Sequence, residues 1–271
     1  MTTPPAEHVR AAFGVAAAEP ELLSGGQGTT WRCDDTVLKP TINTAETAWI
    51  ASTFEHLQVD GVRLSRPIRS MDGRWVVGGW TAQRFVAGRA DDRYSEILQT
   101  GDRLHEALAG IREPRFLRER DDLYSWADKL AWGEIEDTDG KLGGGHGAKL
   151  FAELAGGRRP VSPTATPQVV HGDLFGNVLF AASAPPAVVD ITPYWRPPSW
   201  AAAVIVVDAI SWGGATTDLV EGSADRQDFP EMLRRALLFR LAVSLAHPRS
   251  TAESLVEMLS AAEVLDGFLN N

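Results

Sequence analysis

The sequence predicts an α+β protein, β-rich over about its first third and mainly helical afterwards. Three observations carry this. Short β-type runs separated by glycine clusters and turn pairs fill the stretch from Leu22 to Trp80. From Tyr94 onward apolar residues recur at three-and-four spacing, the period of a helix with one buried face. Within the helical part stands one exception, VVHGDLFGNVLFAASAPPAVVD at 169–190, which reads as strand, loop, strand, turn, strand.

Composition narrows the class. A chain of 271 residues can bury a full core as one large domain or two lobes. Hydrophobic content of 44% and charged content of 23% are those of an ordinary globular protein. A formal charge of −10 argues against a nucleic-acid surface, which needs clustered Lys and Arg. The single cysteine, Cys33, forbids an internal disulfide and fits a reducing cytoplasm. The longest apolar run, Trp200 to Trp212, is too short for a bilayer and carries Asp208 in its middle. AAFGVAAA near the start is too weakly apolar for a secretory signal. The expectation is a cytoplasmic protein with neither membrane nor nucleic-acid partners. Oligomeric state leaves no signal.

In chain order, Pro4 to Phe13 suits a short leading helix with Gly14 just beyond it. A meander follows, with β-type runs around Leu22, Thr30 and Val37 and a turn at Asp34-Asp35. The glycines Gly25, Gly26 and Gly28 form a loop that reads either as a hairpin turn or as an approach to a phosphate. Lys39 ends the apolar run VLK and is, on its own, a solvated strand-end lysine. Thr41 to Leu57 reads as a helix with Asn43 or Thr44 as N-cap and Trp49, Ile50, Phe54 and Leu57 on one face. RPIRS and RWVVGGW, split by Met71-Asp72-Gly73, suggest a hairpin. Asp91 to Ala109, Leu123 to Ile135 and Ala148 to Leu154 read as helices, with DTDGKLGGGHG a linker between the last two. Asp228 to His247 and Thr251 to Leu269 close the chain as amphipathic helices.

The exceptional segment carries the chemistry. It presents Asp173, Asn177 and Asp190 at the ends of short buried strands. A carboxylate there can accept a proton from a hydroxyl nucleophile. A second carboxylate and an amide oxygen suit Mg²⁺, a hard cation that shares its oxygen ligands with phosphates. One base, one Asn and one further Asp are the toolkit of kinase-type phosphoryl transfer.

HGDLFGNVLF followed by VVD resembles the catalytic segment of the aminoglycoside phosphotransferase and choline kinase-like families, which share the protein-kinase fold. The resemblance implies two lobes: a small antiparallel-sheet N-lobe over residues 1–87 that binds nucleotide, and a larger, mainly helical C-lobe over 88–271 for catalysis and acceptor binding. It implies ATP and Mg²⁺ as cofactors and a small-molecule acceptor of aminoglycoside, sugar or amino-alcohol type. Asp173 would be the base and His171 would brace its loop, with Asn177 and Asp190 on Mg²⁺. Lys39 would contact the α- and β-phosphates, paired with Glu46 (Glu55 as a spare), and Gly25, Gly26 and Gly28 would cover the phosphates. Backbone groups near Arg84, Phe85 and Val86 would meet the adenine edge. Asp208 would be a structural acceptor for the catalytic loop. Tyr194, Trp195 and Arg196 either wall the acceptor site or pack as core. One departure is visible. The Asn follows the Asp by four positions where most of these families have five, a shortening that a glycine-only conformation at Gly176 accommodates. A kinase-fold protein that binds nucleotide or metabolite without turnover is the alternative. A metal-dependent hydrolase ranks below both, because no histidines are spaced as ligand pairs.

Overall fold

The structure is a computed structural model that describes residues 3–23, 28–41 and 43–270. A short helix α1 (Glu7–Ala12) precedes strands β1 (Glu21–Leu22), β2 (Trp31–Cys33) and β3 (Thr36–Pro40). The two residues between β2 and β3 are Asp34 and Asp35, and Asp34 takes a left-handed φ of 54°, which Asp tolerates better than most residues. Helix α2 (Thr44–Phe54) starts at Asn43, whose side chain accepts the Glu46 N–H at 3.1 Å. Strands β4 (Arg63–Leu64), β5 (Pro67–Ile68), β6 (Val76–Val77) and β7 (Trp80–Arg84) follow.

The hairpin expected between RPIRS and RWVVGGW is not formed. Gly78 and Gly79 both have positive φ and close a two-residue turn between β6 and β7. Strand β6 takes Trp80 and Thr81 of β7, which leaves Ala82 and Gln83 on the same edge free to pair with β5. The other edge of β7 pairs with β3, opposing Lys39 to Thr81.

The chain continues through α3 (Tyr94–Leu108), α4 (Arg115–Glu119), α5 (Leu123–Trp132) and α6 (His146–Gly156). It then forms β8 (Gln168–His171), β9 (Val178–Ala181), β10 (Ala184–Val188) and β11 (Pro193–Arg196). It ends in α7 (Pro198–Trp212), α8 (Asp218–Glu221), α9 (Phe229–Ala246) and α10 (Ala252–Leu265).

Two compact units result: Met1–Asp91 with Gly176–Ile191, and Asp92–Phe175 with Thr192–Asn271. A single cut near Gly88 therefore does not describe the chain. The antiparallel pair β9–β10 belongs to the first unit because β10 also pairs in parallel with β4. The first unit is built on the antiparallel path β1-β2-β3-β7-β5, with Val9, Phe13, Cys33, Leu38 and Ala82 buried against it. In the second unit α7 is buried on nearly every side, as its unbroken apolar run WAAAVIVV requires, and packs along α9, α3 and α10. No helix of the described residues is long and apolar enough to cross a membrane.

Candidate active site

The second unit holds the HGD loop. Strand β8 pairs with β11, setting His171 opposite Pro193. His171 is buried, and its Nδ1 accepts the Asp173 N–H at 3.1 Å, closing the loop as a tight turn. Its own N–H donates to Nε2 of His105 on α3 at 3.1 Å. Burial pushes the pKa of His105 down to about 3, so the ring is neutral and keeps the lone pair this bond needs. Gly172 is required by close approach: a Cβ there would lie 2.4 Å from Cδ2 of Tyr194. His171 thus braces the loop through the Asp173 backbone.

Asp173 presents a side chain that is 42% exposed, and its Oδ1 accepts from Nη2 of Arg240 at 2.7 Å. Arg240 projects from α9 and also donates through Nε to Oδ1 of Asp208 at 2.7 Å. Asp208, on α7, is 1% exposed. Sequence reasoning gave Asp208 direct contact with the catalytic loop. Its oxygens instead engage Arg240, which carries the contact on to Asp173, because a carboxylate this deeply buried needs a counter-charge. Burial pushes the Asp208 pKa up to about 6, with Arg240 opposing. Burial alone would lower the pKa of Arg240, but Asp208 and Asp173 more than offset it and hold the guanidinium charged.

The first unit holds a slot of about 150 Å³ with a mixed apolar and ionic lining. Val37, Phe85, Val86, Leu179 and Val189 give it apolar walls, and Lys39, Asn177 and Asp190 line it as polar groups. Lys39 Nζ meets Asp190 Oδ1 at 2.7 Å, with side chains 17% and 42% exposed. The pairing expected of Lys39 with Glu46 is not made. Glu46 faces its own N-cap, where Asn43 Nδ2 donates to its Oε2 at 3.4 Å, while Glu55 is taken by Arg69. Asn177 and Asp190 close one end of the β9–β10 pair: the Val189 N–H donates to the Asn177 carbonyl at 3.0 Å, and Asp190 is the next residue. Asp190 has a φ of 55°, a non-glycine residue in the left-handed region. Gly176, at φ 78°, takes the glycine-only conformation the shortened loop asks for.

Other expectations sort less evenly. Gly28 has a positive φ of 71°, whereas Gly25 and Gly26 lie outside the described residues. Of the backbone groups expected to meet adenine, those of Arg84 are used internally: its N–H donates to the Arg66 carbonyl and its carbonyl accepts from Ser65 Oγ, both at 2.7 Å. The Phe85 N–H donates to the Asp35 carbonyl at 2.7 Å. Among the described residues no partner meets the Phe85 carbonyl or the Val86 N–H. On β11, Tyr194 is core: it is 4% exposed, with ring centroids 5.3 Å from Trp200 and 5.7 Å from Phe239. Arg196 pairs with Asp128 and Glu134 and lies over the Trp132 ring. Trp195 lines a separate cavity of about 330 Å³ within the second unit.

Asn177 and Asp190 supply hard oxygen donors, and no group of three or more His, Cys, Asp or Glu that could hold a metal occurs among the described residues. A pair of oxygen ligands rather than a closed cage fits Mg²⁺, which keeps water and phosphate in its shell.

Sequence reasoning missed Arg240 and His105. Arg240 had a readable signal, a lone charge inside the apolar run ALLFRLAVSLA that mirrors Asp208 inside VIVVDAIS. His105 had none.

The α+β architecture, with an antiparallel-sheet region and a helical region, is the kinase-like fold of small-molecule phosphotransferase structures. The choline kinase LicA from Streptococcus pneumoniae aligns at a TM-score of 0.61 and 12% identity, covering 96% of this chain and 98% of that one. The spectinomycin phosphotransferase APH(9)-Ia, solved with ADP and spectinomycin, aligns at 0.58 and 12% identity, covering 97% and 96%. A choline/ethanolamine kinase family protein from Mesorhizobium loti aligns at 0.53 and 13%, covering 98% and 96%. No family model matches the sequence, and no curated protein matches it. At these identities the likeness establishes the fold.

Proposed function

We propose that the chain is an ATP- and Mg²⁺-dependent phosphotransferase that moves the γ-phosphoryl group to a hydroxyl of a small molecule. The observation that carries this reading is the slot lined by apolar side chains, by the Lys39–Asp190 ion pair and by Asn177. An aromatic base fits the slot's apolar walls, with the Phe85 carbonyl and Val86 N–H offering it an acceptor and a donor. Lys39 would turn from Asp190 to the α- and β-phosphates. Asn177 and Asp190 are the residues that would hold Mg²⁺, which when bound neutralises charge on the phosphates. Asp173, fixed by the His171 turn and by Arg240, would orient the acceptor hydroxyl and take its proton, an effect worth roughly 10²–10⁴ in rate. The bond from the acceptor oxygen to the γ-phosphorus forms, the bond from that phosphorus to the β–γ bridging oxygen breaks, and the electron pair leaves on ADP.

Melting temperature with and without ATP, in Mg²⁺ or EDTA, tests the nucleotide half. At 100 times its dissociation constant a ligand stabilises by about 2.7 kcal/mol, a shift of roughly 5–10 °C here. The shift should need both ATP and Mg²⁺ and should fall away in Asp190→Asn. No shift with any nucleotide defeats the reading. Turnover distinguishes the catalytically silent alternative, which the pairing of Asp173 with Arg240 favours. Asp173→Asn should abolish ADP release while leaving the ATP shift intact, whereas a binding module releases no ADP in the first place.

A further inference from the structure

The cavity beside β11 has a charge arrangement that selects its ligand. Each carboxylate lining it is met by a guanidinium: Glu113 by Arg118 at 2.8 Å, Asp128 by Arg196 at 2.8 Å, and Glu134 by Arg196 at 2.6 Å. Arg120 lies 3.5 Å from Asp122 and donates to the Pro193 carbonyl at 3.2 Å. Lys129 differs. Its ammonium donates to the Arg120 carbonyl at 3.0 Å, and no carboxylate of the described residues lies within ion-pair reach of it. Two of its roughly three N–H donors remain for a ligand.

A cation would enter against the Lys129 ammonium and would find each carboxylate of the lining already sharing its charge with a guanidinium. An anion meets Lys129 and displaces nothing. At about 330 Å³ the cavity suits a small metabolite, and Leu117, Tyr194 and Trp195 give it an apolar wall. Tyr194 also packs against Gly172, so this wall continues into the loop that carries Asp173.

We infer that the cavity binds a small hydroxylated carboxylate through Lys129 and that this molecule is the phosphoryl acceptor. The inference rests on the phosphotransferase reading. It departs from the aminoglycoside, sugar and amino-alcohol acceptors that the sequence resemblance suggests.

Gluconate, glucose and glucosamine share a six-carbon polyol frame and differ in charge, so they make the test. Melting temperature is measured with each in the absence of nucleotide, and ADP release with each in the presence of ATP and Mg²⁺. Gluconate should raise the melting temperature and stimulate ADP release, and the other two should do neither. Lys129→Met, whose own melting temperature reports its folding, should weaken gluconate binding at least tenfold. A larger response to glucosamine, a gluconate shift unchanged in Lys129→Met, or gluconate binding without turnover overturns the inference. The ATP–Mg²⁺ shift measured alongside tells which idea failed. If that shift is present and gluconate is silent, the carboxylate assignment falls alone. If it is absent, the phosphotransferase reading falls and the assignment falls with it.

Discussion

Removing Arg240 should expose how much of the second unit depends on one buried ion pair. In Arg240→Met a side chain of similar length fills the space, but Asp208, 1% exposed, loses the only cation that meets it among the described residues. Breaking a buried pair on one side costs about 3–5 kcal/mol, which for this size of chain lowers the melting temperature by roughly 10 °C. The cost has a definite pH dependence. Burial raises the folded-state pKa of Asp208 to about 6 even with Arg240 present, and loss of the arginine raises it further. Between the unfolded value of about 3.9 and that raised value the native state binds more protons than the unfolded state. Stability of the variant therefore falls as pH rises through this window, and the deficit is largest above pH 7 and smallest near pH 4. Urea unfolding of wild type and variant at pH 4.5, 6 and 8 measures it. Asp208→Asn combined with Arg240→Met should recover most of the loss at pH 8, because the stranded charge is gone. A deficit below about 1 kcal/mol, or one that does not change with pH, would refute the assignment of Arg240 as the counter-charge of Asp208.

His105 gives a slope of opposite sign. Its folded pKa, lowered to about 3 by burial, lies below the unfolded value of about 6.5, so its contribution is complete above pH 6.5 and is lost as pH falls toward 3. Wild type should lose about 1.4 kcal/mol per pH unit from this group below pH 6. His105→Asn, which can still accept the His171 N–H, should remove one proton's worth of slope, and parallel profiles would contradict the neutral buried imidazole. Gly172→Ala drives a methyl group into Tyr194, whose ring is held by Trp200 and Phe239. Overpacking of this kind costs about 1–3 kcal/mol, and the penalty should shrink in a Tyr194→Leu background. An unchanged melting temperature in Gly172→Ala would mean the loop can move away from the ring.

Elements that declare themselves locally were legible in the sequence. Asn43 caps α2 because its side chain needs only the N–H three residues on. The period of α3 was visible because one face is buried, with Ile97, Leu98, Leu104 and Leu108 on it. Strand partners were not legible. The glycine pair at 78–79 declares a tight turn, but which strand fills the rest of the β7 edge is decided by its length and by β6 occupying only two of its positions. Assignment of β9 and β10 to the first unit depends on a parallel pairing with β4 across more than a hundred residues, and no local pattern encodes that.

The site divides along the same line. Gly176 could be read because a shortened loop demands an unusual backbone, and only glycine takes that conformation cheaply. Lys39 and Asp190 could each be read from their strands, but their mutual pairing could not, since it is a through-space fact over 151 residues of sequence separation. Glu46 misled for a related reason. A first-turn glutamate suits a helix dipole, a capping contact and a distant lysine equally well, and here Asn43 of its own N-cap donates to it while Lys39 pairs with Asp190. Arg240 is the instructive omission. A lone Asp in one apolar helix and a lone Arg in another are each costly to bury and tolerable only together. Two such residues in one chain are therefore evidence for each other before any coordinates exist. What the sequence does not contain is the third member: that the same guanidinium reaches Asp173 follows only from where α9 passes the HGD loop.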